Sequence, residues 1–112
     1  MPELAMGDVV WATLDPVRGH EQSGRRPVVV VASNLYLDIV ETLAIVVPVT
    51  TRDRGWPNHI LLSGATGLER SSWAMTEQPV TISRERLLVV TGHVDADCLE
   101  RIRVYLRDFL DL

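Results

Sequence analysis

The sequence predicts a mainly β domain with one C-terminal helix, arranged as a small, strongly bent β-barrel with the helix packed on it. Three observations lead there. About six short runs rich in β-branched residues recur along the chain. The loops between them are long and polar, with turn residues such as Gly55 and Pro57. From Asp95 onward the apolar spacing changes to that of a helix. The length of 112 residues suits one domain, and a hydrophobic content of 46% is enough for one core.

MGDVVWATL (6–14) mixes β-branched and aromatic residues and reads as the first strand. The polar loop DPVRGHEQSGRR follows; it is longer than a tight hairpin needs, which points to use rather than mere connection. PVVVVAS (27–33) is a continuous β-branched run, the pattern of a strand buried on both faces. NLYLDIVE (34–41) fits either a short helix or an irregular link. TLAIVVPVT (42–50) is another strand, and Pro48 near its end marks an edge or a bulge. TRDRGWPN is a turn-rich loop, HILLS a short strand and GATGLER a further loop. SSWAMTEQPVTIS predicts one strand broken near Pro79, and RERLLVVTGHV a turn and then a strand. Beyond Asp95, a candidate N-cap, Leu99, Ile102, Leu106, Phe109 and Leu110 recur at helical spacing. No repeat, linker or low-complexity segment interrupts this order, so one domain over residues 1–112 is expected. A half-open barrel of this size leaves strand edges, which favours a homodimer.

The formal charge of −4 argues against a general nucleic-acid coat, though not against a local basic groove. The chain has no lysine, so every fixed side-chain cation is an arginine. A GC-rich genome would favour arginine codons; equally, the planar guanidinium suits phosphate recognition. A single cysteine, Cys98, rules out an intrachain disulfide and disfavours a thiolate zinc site. No apolar run approaches the ~18 residues of a membrane helix, and the start MPELAMGDVV lacks the pattern of a secretory signal. A cytoplasmic protein is the simplest expectation. The three histidines are scattered, and HExxH, CxxC, a P-loop, GxGxxG and GxSxG are all missing, so neither a metal site nor a cofactor is expected.

Four stretches carry candidate chemistry. In RGHEQSGRRP, His20 is of the residue type suited to moving a proton near neutral pH, and Glu21 lies near Arg25 and Arg26 in sequence; the ordinary alternative is a solvated, salt-bridged loop. Arg26 directly precedes a buried strand, and a guanidinium on a rigid base is a good stabiliser of a pentavalent phosphate. In PVTTR, a hydroxyl of Thr50 or Thr51 is expected to point away from the core, toward a phosphate oxygen. Trp56 is suited to stacking on a base or to covering the rim of the core. In TEQP, Glu77 is suited to acting as a base or orienting an arginine, unless it is simply an exposed strand carboxylate. His59 and His93 read as surface groups at strand ends.

Taken together, GDVVWATLDPVRGHEQSGRRPVVVVAS, then VVPVTT, then EQP before a strand and a final amphipathic helix resemble the MazF/PemK/Kid toxins of bacterial toxin–antitoxin systems. The resemblance runs from about residue 6 to residue 112. It implies an SH3-like barrel, homodimeric, that cuts single-stranded RNA at short sequences without a metal. It further implies an RNA groove at the dimer interface, closed over by the first loop and blocked by the acidic C-terminal segment of an antitoxin. Carried over residue by residue, it makes Arg26 the catalytic arginine, Thr50 the catalytic threonine, and Glu21 the loop glutamate with Gln22 beside it. His20 and Glu77 fall where the Kid-like branch uses a histidine and an aspartate. That branch has an arginine where this chain has Met75, a departure that favours the MazF-type arrangement around Arg26 and Thr50.

The chemistry that fits is attack of the 2′-hydroxyl on the adjacent phosphorus, giving a 2′,3′-cyclic phosphate and a 5′-hydroxyl. Arg26 and Thr50 would stabilise the phosphorane, Glu21 would be the base with His20 its rival, and His20 or Arg26 the acid. Gln22, Arg25, Thr51, Arg52, Arg54, Trp56, Glu77 and Gln78 are the expected RNA contacts. The rival from another class is a gyrase-poisoning toxin on the same scaffold, with no cleavage of RNA.

Overall fold

The computed structural model describes residues 3–14 and 24–112. The elements, in order, are β1 (Asp8–Thr13), β2 (Arg25–Val30), α1 (Asn34–Ile39), β3 (Leu43–Thr50), β4 (His59–Leu61), β5 (Trp73–Met75), β6 (Val80–Ser83), a 3-10 turn (Arg84–Arg86), β7 (Leu87–His93) and α2 (Ala96–Leu110). The ambiguous stretch after residue 33 is therefore a helix. Ser33 starts it, its hydroxyl accepting the Tyr36 N–H at 3.1 Å. The Arg84 side chain ends it, donating to the carbonyls of Leu37 and Val40.

The strands form one antiparallel sheet in the order β4-β5-β3-β2-β1-β7, with β6 also pairing with β3. Successive side chains along the central strands point to opposite faces, and both faces are covered. Val10, Ala12, Val28, Val30, Ala44 and Val46 enter one core with Leu37 of α1 and Ile82 of β6. Val9, Val29, Val47 and Val49 enter the other with Cys98 and Ile102 of α2. Val28, Val29 and Val30 are all wholly buried, as the unbroken valine run requires.

Pro48 does not lie at the sheet edge. It pairs with Val28 in the middle of the sheet. On its other side, however, β6 covers β3 only over residues 43–46 and β5 only from Val49 onward. Pro48 thus falls in the gap where β3 changes neighbours, and a missing N–H leaves no ladder bond broken there. The segment expected to hold one broken strand is two strands, β5 and β6, which pair with the two ends of β3.

The barrel is incomplete as a ladder: among the described residues the sheet is strongly bent and no strand pair joins β4 to β7. The loop after β4 closes the gap instead. The N–H groups of His93 and Asp95 donate to the carbonyls of Ala65 and Ser63 at 3.0 and 2.9 Å, and the Thr91 hydroxyl donates to the carbonyl of Thr66 at 2.7 Å. Gly92 makes this approach possible, because a Cβ there would stand 1.9 Å from the Ala65 carbonyl oxygen.

Asp95 caps α2, its carboxylate accepting the Cys98 N–H at 2.8 Å. Cys98 and Ile102 are wholly buried. Burial pushes the Cys98 thiol up, which makes it a packing group rather than a nucleophile. The predicted apolar face is only partly covered: Leu99 and Leu106 pack on the core, whereas Phe109 and Leu110 remain exposed. Among the described residues no helix is long and apolar enough to cross a membrane.

Candidate functional site

β2 begins outside the core. Arg25 and Arg26 are exposed, Pro27 is half-buried and Val28 is wholly buried. The backbone of Arg26 is nonetheless held, because it lies in the ladder opposite Ala12 of β1. On the other side, β2 and β3 pair with Val28 opposite Pro48. The β2–β3 ladder ends there; Arg26 lies two residues before Val28 on β2, and Thr50, the last residue of β3, lies two residues after Pro48, where β3 pairs with Trp73 of β5. Even spacing from Val28 and Pro48 puts both on the same face of the sheet.

The Thr50 hydroxyl oxygen accepts the N–H of Arg52 at 3.1 Å. Its proton is thereby left to donate outward. Asp53 then accepts the N–H of Gly55 at 3.0 Å, and Gly55 adopts a left-handed φ of 71° that few other residues tolerate. These two local turns shape the loop between β3 and β4 and present its arginines on one side.

Arg25, Arg26, Thr50, Thr51, Arg52 and Arg54 line a single cleft of about 840 Å³. Six of the predicted residues are thus brought together from two strand ends and one loop. His20, Glu21 and Gln22 lie outside the described residues. Trp56, Glu77 and Gln78 do not line the cleft. Trp56 is half exposed; it packs against the His59 ring at 4.7 Å between centroids and carries the Arg54 guanidinium over its own ring at 5.8 Å. Glu77 sits behind it on the β5–β6 turn, bound to His59 Nε2 at 3.0 Å and to Asn58 Nδ2 at 2.8 Å.

His59 is therefore not a surface group. It is buried, and its Nδ1 is enclosed with no hydrogen-bond partner among the described residues. His93, the other histidine read as a surface group, is exposed. Burial pushes the Glu77 carboxyl up, but hydrogen bonds from His59, its own backbone and Gln78, with the attraction of His59, bring it below the usual glutamate range.

The cleft has further lining residues that the sequence did not single out, among them Trp11 on β1, and Glu69, Arg70 and Ser72 on the loop between β4 and β5. That loop follows the turn which closes the sheet against β7, so its position depends on contacts distant in sequence. Ser72 is buried and donates to the Arg70 carbonyl at 2.9 Å, which fixes the base of that arginine. The only signal for Arg70 was its residue type. Five arginines now face one cleft in a chain whose net charge is −4, so the positive charge is local. Among the described residues no group of three or more His, Cys, Asp or Glu side chains is placed to hold a metal ion.

The PemK-like, MazF-like toxins of type II toxin–antitoxin systems match residues 5–110. The endoribonuclease MazF9 of Mycobacterium tuberculosis is 37% identical over 115 residues, covering 97% of this chain and 98% of that one. The endoribonuclease toxin MazF of Escherichia coli K12 is 35% identical over 99 residues, covering 88% and 86% of the two chains. A MazE–MazF crystal structure from Deinococcus radiodurans superposes with a TM-score of 0.80 at 28% identity, covering 97% of this chain and 96% of the other.

Proposed function

The chain belongs to the PemK-like, MazF-like toxins of type II toxin–antitoxin systems, and from that premise we propose that it is an endoribonuclease which cuts single-stranded RNA at short sequences without a metal. The observation that carries the reading is that Arg26 at the start of β2 and Thr50 at the end of β3 line one arginine-rich cleft. The phosphodiester backbone seats among Arg25, Arg52, Arg54 and Arg70, and the reacting phosphate lies between Arg26 and Thr50. The 2′-oxygen attacks phosphorus, the bond to the 5′-oxygen breaks, and a 2′,3′-cyclic phosphate and a 5′-hydroxyl result. Arg26 neutralises the phosphorane and the Thr50 hydroxyl donates to a non-bridging oxygen; donors of this kind contribute on the order of 100-fold each.

Two protons must move. One leaves the 2′-hydroxyl and one reaches the 5′-oxygen. Glu69 is the only carboxylate lining the cleft among the described residues, and no histidine lines it. We assign the base to Glu21, with His20 as its rival, and the acid to His20, all in the loop outside the described residues. An arginine is too weak an acid to be the first choice. The requirement for a 2′-hydroxyl confines cleavage to RNA.

The same positive cleft suits the acidic C-terminal segment of a cognate antitoxin. A homodimer would place two such clefts along one groove, in the cytoplasm where RNA and antitoxin are found. The test is incubation of the purified protein with single-stranded RNA in EDTA, followed by mapping of the ends. Cyclic-phosphate and 5′-hydroxyl ends are expected. Loss of cleavage in EDTA, or cleavage of a 2′-deoxy strand, overturns the chemistry; RNA left intact favours the gyrase-poisoning alternative.

A further inference from the structure

The loop that carries Arg54 to the cleft is clamped from behind by the β5–β6 turn. His59 pairs with Met75 in the β4–β5 ladder, which sets Thr76 and Glu77 above the end of the loop. The Thr76 hydroxyl, wholly buried, donates to the Asn58 carbonyl at 2.7 Å. Asn58 Nδ2 donates to one Glu77 oxygen at 2.8 Å, and Gln78 Nε2 to the other at 3.2 Å. His59 Nε2 stands 3.0 and 3.1 Å from the two oxygens. Three side chains of the chain, Asn58, His59 and Gln78, thus converge on the Glu77 carboxylate.

His59 Nε2 faces the carboxylate, and Nδ1 is enclosed with no hydrogen-bond partner among the described residues. A buried polar atom without a partner is a cost that calls for an explanation. The ring's other contact supplies one, because its face supports Trp56 and Trp56 in turn carries the Arg54 guanidinium. Glu77, His59, Trp56 and Arg54 thus form a continuous series from the β5–β6 turn to the cleft, where Arg54 is a lining residue and Glu77 is not.

We propose that Glu77 and His59 are positioning residues that hold Arg54 at the lip of the cleft and so set the affinity for RNA, rather than acting on the reacting atoms. The proposal rests on the reading of the cleft as the RNA site and deepens it. Glu77 matches the position where the Kid-like branch has an aspartate, yet here the carboxylate is committed to the loop. Losing it therefore frees the loop and raises KM, while Arg26 and Thr50 still carry the chemical step.

The experiment is steady-state kinetics on a short single-stranded RNA with wild type, Glu77→Ala, Arg54→Ala and the double variant. KM is expected to rise roughly tenfold in Glu77→Ala with kcat within about twofold, and the double variant to be no worse than Arg54→Ala alone. Glu77→Gln keeps an acceptor for His59 and should recover part of the loss. If Glu77→Ala does not fold, Glu77→Gln takes its place in the same cycle under the same criteria. A fall in kcat at unchanged KM, or effects that multiply independently, overturns the proposal and leaves the RNA reading standing. Wild-type protein that does not cut RNA overturns both.

Discussion

Arg26 at the start of β2 and Thr50 at the end of β3 line one cleft, each two residues along its strand from the Val28–Pro48 pair. The backbone of each is held in a ladder, Arg26 opposite Ala12 of β1 and Thr50 opposite Trp73 of β5, so the cleft wall that carries them is fixed by the sheet. Both stand where the wholly buried valines give way to an open cleft. Arg26→Ala should lower kcat by about 100-fold or more, and Thr50→Val by about 100-fold, with Thr50→Ser largely active. Circular dichroism melts of Arg26→Ala should match wild type, since its side chain is exposed. A wild-type turnover rate in Arg26→Ala removes it from the chemistry.

Five arginines on one cleft make binding depend on salt. For a non-cleavable 2′-deoxy analogue, log affinity against log salt should fall with a slope of roughly 0.7 per neutralised phosphate. Arg70→Ala should reduce that slope by about 0.7, although nothing in the sequence pattern marked this residue. A slope indifferent to Arg70→Ala would place it off the RNA path.

Closure of the sheet depends on a missing side chain. A Cβ on Gly92 would meet the Ala65 carbonyl oxygen at 1.9 Å, and that oxygen accepts the His93 N–H. Gly92→Ala should cost on the order of 2 kcal/mol or more in chemical denaturation. An unchanged midpoint would mean that the loop yields without loss.

Glu77 contributes stability with a defined pH sign. Its carboxyl lies below the usual range in the folded chain, because the donors around it outweigh burial. Such a group stabilises fully above its unfolded pKa, about 4.3 for glutamate. The contribution is lost as pH falls through the lower folded value. Glu77→Gln should therefore melt below wild type at pH 7, and the gap should narrow below about pH 4. A gap that widens in acid contradicts this account of the Glu77 carboxylate and its donors.

Much was legible in the residues themselves. The continuous valine run of β2 required burial on both faces, and the period after Asp95 required a capped helix; both depend on local spacing, which the chain carries directly. The proline rule for Pro48 was sound but its consequence was not an edge: whether a central strand has a gap in its pairing is decided by where other strands end.

The candidate site divides the same way. Arg26 and Thr50 stood out by position, one before a buried strand and the other at a strand end, and the resemblance named them. That they line one cleft follows from where β2 begins and β3 ends in the sheet, which the sequence constrains only through the alternation of buried residues. Arg70, Glu69 and the burial of His59 were invisible, since each depends on contacts between segments far apart in sequence. The chain by itself determined which residues are apolar, which break strands and which can carry charge. Only the folded sheet decided which of them meet, because burial and hydrogen bonding between distant segments select a single arrangement from many that local preference allows.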